Sequence, residues 1–184
     1  KEFLLFARPG NPKWTDTTTL AVVEPVATLL GPELSRKRIG LRLDVPDLSV
    51  RLDPQQIQQV LINLVQNAAE SIGCDGTVIL RVRAETLAIR GRPTRASVWE
   101  VIDNGKGIPP GIQKRLFDPC FTTKEGGSGL GLSVAARIAE KHGGELRYQT
   151  QPHRGTTFTL AIPLEFDRPT ASSPQSHART LAPD

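Results

Sequence analysis

Gly126-Gly127-Ser128-Gly129-Leu130-Gly131 opens directly into the apolar-periodic run Leu132-Ser133-Val134-Ala135-Ala136-Arg137-Ile138-Ala139-Glu140-Lys141. Upstream stands a second glycine-rich stretch, Asp103-Asn104-Gly105-Lys106-Gly107, directly after the strand-like Ser97-Val98-Trp99-Glu100-Val101-Ile102. Glycines at this spacing ahead of a helix leave backbone N–H groups bare at the positive end of the helix dipole, an arrangement that cradles phosphates. A carboxylate closing an apolar strand, Asp103, is placed to accept a hydrogen bond from the exocyclic amine of a base. Together the two stretches point to a nucleotide site, with ATP the first candidate.

Working outward, Asp53-Pro54-Gln55-Gln56 is a helix start. Asp caps, Pro takes the first helical position and Gln56 stands where a capping box places its side chain. The helix should run to about Ser71 and stop at Gly73. Helical spacing of Leu20, Val23, Val26, Ala27 and Leu30 predicts a helix over 19–35, disturbed by Pro25 and Gly31-Pro32. Residues 39–44 alternate as a half-exposed strand does. Strands are expected at 77–85 and 96–102 with a loop around 88–94, and at 145–150 and 156–163. A short helix is expected at 110–117 and a longer one at 130–142, ended by Gly143-Gly144; residues 118–128 read as irregular and mobile. The order predicts an α+β fold, a two-layer sandwich whose mixed, mostly antiparallel sheet carries about three helices on one face. Residues 1–14 read as the end of a helix plus a proline-rich linker, 15–164 as the globular domain, and 165–184 as a disordered tail.

Composition narrows the class. The chain has 184 residues, 38% of them hydrophobic, enough for one core. Its net charge of +4 is modest, its basic residues are scattered, and aromatics at 5% offer no stacking platform, which argues against nucleic-acid binding. Two unpatterned thiols, Cys74 and Cys120, suit a reducing cytoplasm. No apolar run approaches the ~20 residues of a membrane span, so this segment is expected to make no direct membrane contact. The first residue is Lys, as expected for a fragment whose parent is either soluble or membrane-anchored.

On the predicted 53–71 helix, Ile57, Val60, Leu61, Leu64 and Ala68 form one stripe, while Asn63, Asn67 and Glu70 fall on another face. An amide oxygen is a neutral hard ligand, suited to a Mg²⁺ ion that already carries water and triphosphate oxygens. The same pattern also describes an ordinary polar helix face, and Glu70 alone reads as surface.

Here the resemblance becomes specific. Gln58-Gln59-Val60-Leu61-Ile62-Asn63-Leu64-Val65-Gln66-Asn67-Ala68-Ala69-Glu70 resembles the N box of the GHKL ATP-binding (Bergerat-fold) superfamily. Residues 103–107 resemble its G1 box, and Leu116-Phe117-Asp118-Pro119-Cys120-Phe121-Thr122-Thr123-Lys124 the F box of sensor histidine kinases. Residues 127–132 match G2, and Gly155-Thr156-Thr157-Phe158 the closing G-T-x-F element. The wording is most similar to nitrogen-regulation (NtrB-like) kinases. The resemblance implies that Asp103 binds the adenine amino group with Thr156 in support, that Gly107 lets the chain pass close to the base, and that Gly105 belongs to the same nucleotide site. It implies that Asn67 holds Mg²⁺ and that Asn63 assists at the phosphates. Gly127, Ser128, Gly129, Leu130 and Gly131 close over the triphosphate; Phe117 and Phe121 anchor a lid over 118–128, with Thr123 and Lys124 in it. Lys124 is placed to neutralise phosphate charge or to stand in solvent.

A histidine kinase also needs a phosphoacceptor His, and none of His142, His153 and His177 sits in a matching box. The resemblance therefore implies an acceptor on a separate dimerisation domain upstream, a homodimeric full-length protein and a response-regulator partner. Related hydrolases carry a Glu where this chain has Asn63, and an amide cannot take the proton from water. The alternatives are another GHKL enzyme, a weak ATPase or protein-serine kinase, and a degenerate, scaffolding kinase.

Overall fold

The computed structural model describes residues 9–122 and 129–164. The expected terminal helix at 1–8, the tail from 165, His177, Thr123, Lys124, Gly127 and Ser128 lie outside the described residues. In chain order the elements are β1 (Thr15–Thr18), α1 (Thr19–Arg36), β2 (Ile39–Asp44), β3 (Ser49–Leu52), α2 (Pro54–Ile72), β4 (Gly76–Ile89), β5 (Arg92–Asp103), α3 (Pro110–Gln113), α4 (Gly131–Lys141), β6 (Glu145–Gln151) and β7 (Gly155–Pro163). Five strands form one sheet in the order β2-β4-β5-β7-β6. Only β2 and β4 run parallel; the other pairs are antiparallel. The expected α+β sandwich is the observed fold.

The core lies between one face of the sheet and the long helices. Val78, Leu80, Trp99, Val101, Leu160 and Ile162 from the strands meet Val26, Leu61, Leu64 and Ile138 from the helices, all essentially without exposure. Burying each such side chain contributes on the order of 2 kcal/mol. That gain explains why α1 continues through Pro25 and Pro32, which the sequence pattern read as disturbances. Each proline costs a backbone hydrogen bond, but the buried stripe Val22, Val23, Val26, Leu30 and Leu34 holds the helix to the sheet.

Several expectations need correction. The loop expected around 88–94 is a tight turn at Arg90-Gly91, where both residues have positive φ, and the flanking strands pair up to Ile89↔Arg92. The short helix ends at Gln113 rather than 117, after which the chain continues in turns through Leu116 and Asp118. The strands β1 and β3 were not expected; they form a separate antiparallel pair, Thr15↔Leu52 to Thr18↔Ser49. Several of the scattered arginines are ion-paired, Arg38 with Asp75 at 2.6 Å, Arg81 with Asp44 at 2.8 Å, and Arg83 with both Glu85 and Glu100.

The N-terminus of α2 also differs in detail. Asp53 caps it, accepting from the Gln56 N–H at 3.1 Å, but the capping box does not close. The Asp53 N–H donates instead to His142 Nε2 at 3.1 Å, and the Gln56 side chain donates to the Gly10 carbonyl at 3.1 Å. His142 is fully buried, and its Nδ1 donates to the Ile138 carbonyl at 2.9 Å. Its two bonds require the neutral ring, and burial lowers its pKa below the ordinary value of 6.5. A histidine with a depressed folded pKa stabilises the fold above its unfolded pKa and loses that contribution as pH falls through the folded one. Replacing His142 by Ala, which orphans the Asp53 N–H and leaves a cavity, is expected to cost roughly 3 kcal/mol at neutral pH. In denaturant titrations the gap between wild type and variant should narrow on acidification; a gap constant with pH would rule out the neutral, doubly bonded ring.

Candidate active site

The α2 helix, the 103–109 segment after β5, the start of β7 and the start of α4 surround a cleft of about 790 Å³. Each contributes by its own local logic. Asp103 is the last residue of β5, so strand alternation turns it to the helix-facing side beside Val101 and Trp99. On α2, the i, i+4 spacing that keeps Leu64 and Ala68 in the core sets Asn63 and Asn67 together on the cleft face. Gly129 and Gly131 bring the start of α4 to the cleft, with Gly131 directly against Asn63.

Asp103 is 7% exposed, and its Oδ1 accepts the Gly105 N–H at 2.8 Å. Burial pushes its carboxyl above the ordinary carboxylate range, opposed by the backbone N–H groups of Gly105 and Thr156 and the nearby Ser71 hydroxyl. The site thus presents a desolvated acceptor in its lining. Thr156 is 4% exposed and shares a 3.0 Å hydrogen bond with the Thr150 hydroxyl, which also accepts the Ile108 N–H at 2.9 Å. This polar belt ties the loop after Asp103 to the β6–β7 hairpin. The same tie explains Gly107: its φ is +70°, and a Cβ there would lie 2.4 Å from the Gln151 carbonyl oxygen. Gly131 is constrained by direct contact with α2, because a Cβ would come within 2.2 Å of the Asn63 Oδ1.

Of the residues expected from sequence, Asn63, Asn67, Asp103, Gly107, Phe121, Gly129, Gly131 and Thr156 line this one cleft. Gly105 does not; it supplies the N–H that Asp103 accepts and packs on Ser71. Phe117 turns away from the cleft, its ring centroid 5.8 Å from that of Tyr148, against the core. Phe121 keeps a lining position with the Arg115 guanidinium 4.3 Å over its ring. Leu130 forms the N-cap position of α4, where its carbonyl accepts from the Val134 N–H at 2.9 Å and the Ser133 hydroxyl at 2.9 Å.

Sequence reasoning missed Gln66, Ser71, Lys106 and Phe158, and read Glu70 as surface although it lines the cleft. Lys106 had a legible signal, since it sits inside the Asp103–Gly107 box; among the described lining residues it is the one cation. The histidines do not approach this arrangement: none lines the cleft among the described residues. His142 is engaged at both ring nitrogens, and His153 lies exposed in the β6–β7 turn.

The sequence pattern of the histidine kinase-, DNA gyrase B- and HSP90-like ATPase family matches residues 52–166. The chain is 40% identical over 147 residues to the sensory histidine kinase/phosphatase NtrB of Escherichia coli O157:H7, covering 78% of this chain and 42% of NtrB. It is 33% identical over 166 residues to the signal transduction histidine-protein kinase AtoS of Escherichia coli K12, covering 89% of this chain and 26% of AtoS. The chain therefore spans well under half the length of these curated relatives. Among solved structures, the catalytic domain of histidine kinase ThkA aligns with a TM-score of 0.69 and 31% identity, over 83% of this chain and 98% of that one. ThkA in complex with the response regulator TrrA aligns with the same TM-score of 0.69 at 28% identity, over 89% of this chain and 46% of that one. With the order of boxes, the sheet topology and the cleft in agreement, the chain belongs to the histidine kinase-, DNA gyrase B- and HSP90-like ATPase family, as a catalytic domain of the sensor histidine kinase type.

Proposed function

We propose that this domain binds ATP together with Mg²⁺ and delivers the γ-phosphoryl group to a histidine on a separate dimerisation segment, for onward transfer to an aspartate of a response regulator. The parent protein is then a homodimer working in a reducing cytoplasm, with residues 1–14 as connector and 165–184 as tail. The observation that carries the reading is the buried Asp103 carboxylate in the lining of the cleft, together with the Asn63 and Asn67 amides.

The residues present fit a metal that arrives with its nucleotide. Among the described residues there is no group of three His, Cys, Asp or Glu side chains to form a protein cage. The cleft offers instead amide oxygens, and Asn67 would hold Mg²⁺. When bound, the ion neutralises charge on the triphosphate oxygens. Asp103 orients the base, Lys106 from the described wall and Lys124 add positive charge, and the backbone N–H groups opening α4 face the phosphates. The acceptor imidazole attacks the γ-phosphorus while the bond to the bridging oxygen breaks and ADP departs. Asn63, an amide, cannot take a proton from water at the position where the related hydrolases carry Glu, which separates this site from the hydrolase pattern.

Calorimetric titration of the chain with ADP and a non-hydrolysable ATP analogue, with and without Mg²⁺, tests this. Binding in the micromolar range that depends on Mg²⁺ is expected. A folded sample that binds neither ligand would overturn the reading.

A further inference from the structure

Ser71 occupies the last turn of α2, four residues beyond Asn67, and lines the same cleft at the end where Asp103 stands. Its Oγ is buried and has no hydrogen-bond partner among the described residues. A serine inside a helix ordinarily satisfies its hydroxyl by bonding back to the carbonyl one turn earlier or by pointing to solvent. Ser71 does neither.

The groups around it are already committed. The Lys106 N–H donates to the Ser71 carbonyl at 3.2 Å, and the Gly105 N–H is held by Asp103 Oδ1 at 2.8 Å. The loop presses so closely that a Cβ on Gly105 would lie 2.3 Å from the Ser71 Oγ. Asp103 stands close by, without the geometry of a hydrogen bond to that hydroxyl. Ser71 also lines the cleft, which is the side from which a ligand would reach it. One other orphaned polar atom lines the same cleft, the Asn63 Nδ2 on the phosphate side. Unpaired polar atoms at both ends of one cleft mark the points where a ligand completes the site.

We propose that Ser71 is a specificity-determining residue of the base pocket, its hydroxyl donating to N1 of adenine beside the amino group read by Asp103. Adenine presents a donor, the 6-amino group, next to an acceptor, N1. Asp103 supplies an acceptor and Ser71 a donor, which matches that edge. Guanine presents O6 and N1–H there, the reverse order, and would set its carbonyl oxygen against the buried carboxylate. The inference rests on the reading of the cleft as an adenine-nucleotide site.

The test is calorimetric titration of wild type, Ser71→Ala and Asp103→Asn with ADP and with 1-deaza-ADP, in which N1 is replaced by C–H. Ser71→Ala should weaken ADP binding roughly fivefold and leave 1-deaza-ADP binding at the wild-type value. Its melting temperature should equal or exceed that of wild type, because the unpaired hydroxyl is gone. Equal loss for both ligands, or no loss for either, would overturn the role of Ser71. If wild type binds ADP, and Asp103→Asn weakens it while Ser71→Ala does not, this inference alone fails. If wild type binds neither nucleotide, the assignment of the cleft fails with it.

Discussion

Alanine in place of Asn67 is expected to abolish Mg²⁺-dependent phosphoryl transfer to a supplied acceptor-histidine domain, by roughly a thousandfold. Loss of a metal contact removes several kcal/mol of charge stabilisation that develops at the transferring phosphoryl group. The fold should survive, because α2 is held by the opposite stripe. Ile57, Val60, Leu61, Leu64 and Val65 are at most 1% exposed, and the Asp53 cap is untouched. Asn67→Asp should fail similarly while circular dichroism and melting stay near wild type. Single-turnover transfer with labelled ATP measures the effect directly. Transfer at the wild-type rate in either variant would remove Asn67 from the metal site.

Asp103→Asn is expected to weaken adenine-nucleotide binding at least tenfold, since the amide turns a charged acceptor into a neutral group and forfeits a charge-assisted hydrogen bond. Folding should be spared, because the new Oδ1 can still accept the Gly105 N–H now held at 2.8 Å. The pH dependence has a definite sign. Burial raises the Asp103 pKa, so its contribution to stability is complete below the unfolded carboxylate pKa and is lost as pH rises through the folded value. The melting temperature of the variant relative to wild type should therefore improve as pH rises across that window. Over the same window wild-type affinity for ADP should fall on acidification, at higher pH than for an ordinary carboxylate, while the variant stays flat. Equal ADP affinity in the two proteins would remove Asp103 from the base-reading role.

How much of this was legible depended on how local each signal was. The start of α2 was readable because Asp53-Pro54 acts on its own turn, and its stripe repeats at helical spacing. The hairpin at Arg90-Gly91 was misread because Gly91 and Pro93 look like loop residues. Pro93 is tolerated in β5 because β7 reaches only Ala96, leaving the other edge of that segment without a partner strand. The strands β1 and β3 are four residues each and exist only by pairing with one another, a contact that no local pattern announces. The same division runs through the site. Asp103, Asn67 and Gly131 were found because their boxes carry both residue type and spacing. Ser71, Thr150 and the second half of the α2 cap were not. Their surroundings are set by the tertiary fold, as with His142, which meets the Asp53 N–H across 89 residues.

The sheet has two outer strands, β2 and β6, and both are short, six and seven residues. Each carries charge along its length, Arg42 and Asp44 on one, Glu145 and Arg147 on the other. Where β4 runs on beyond β2, the unpaired stretch carries Arg83 and Glu85. Short, charged borders are poor templates for adding a strand from a neighbouring molecule. Copies of this domain held at high local concentration should therefore not zip together readily through β2 or β6. Any stable pairing between two copies must draw on surfaces other than these backbone borders.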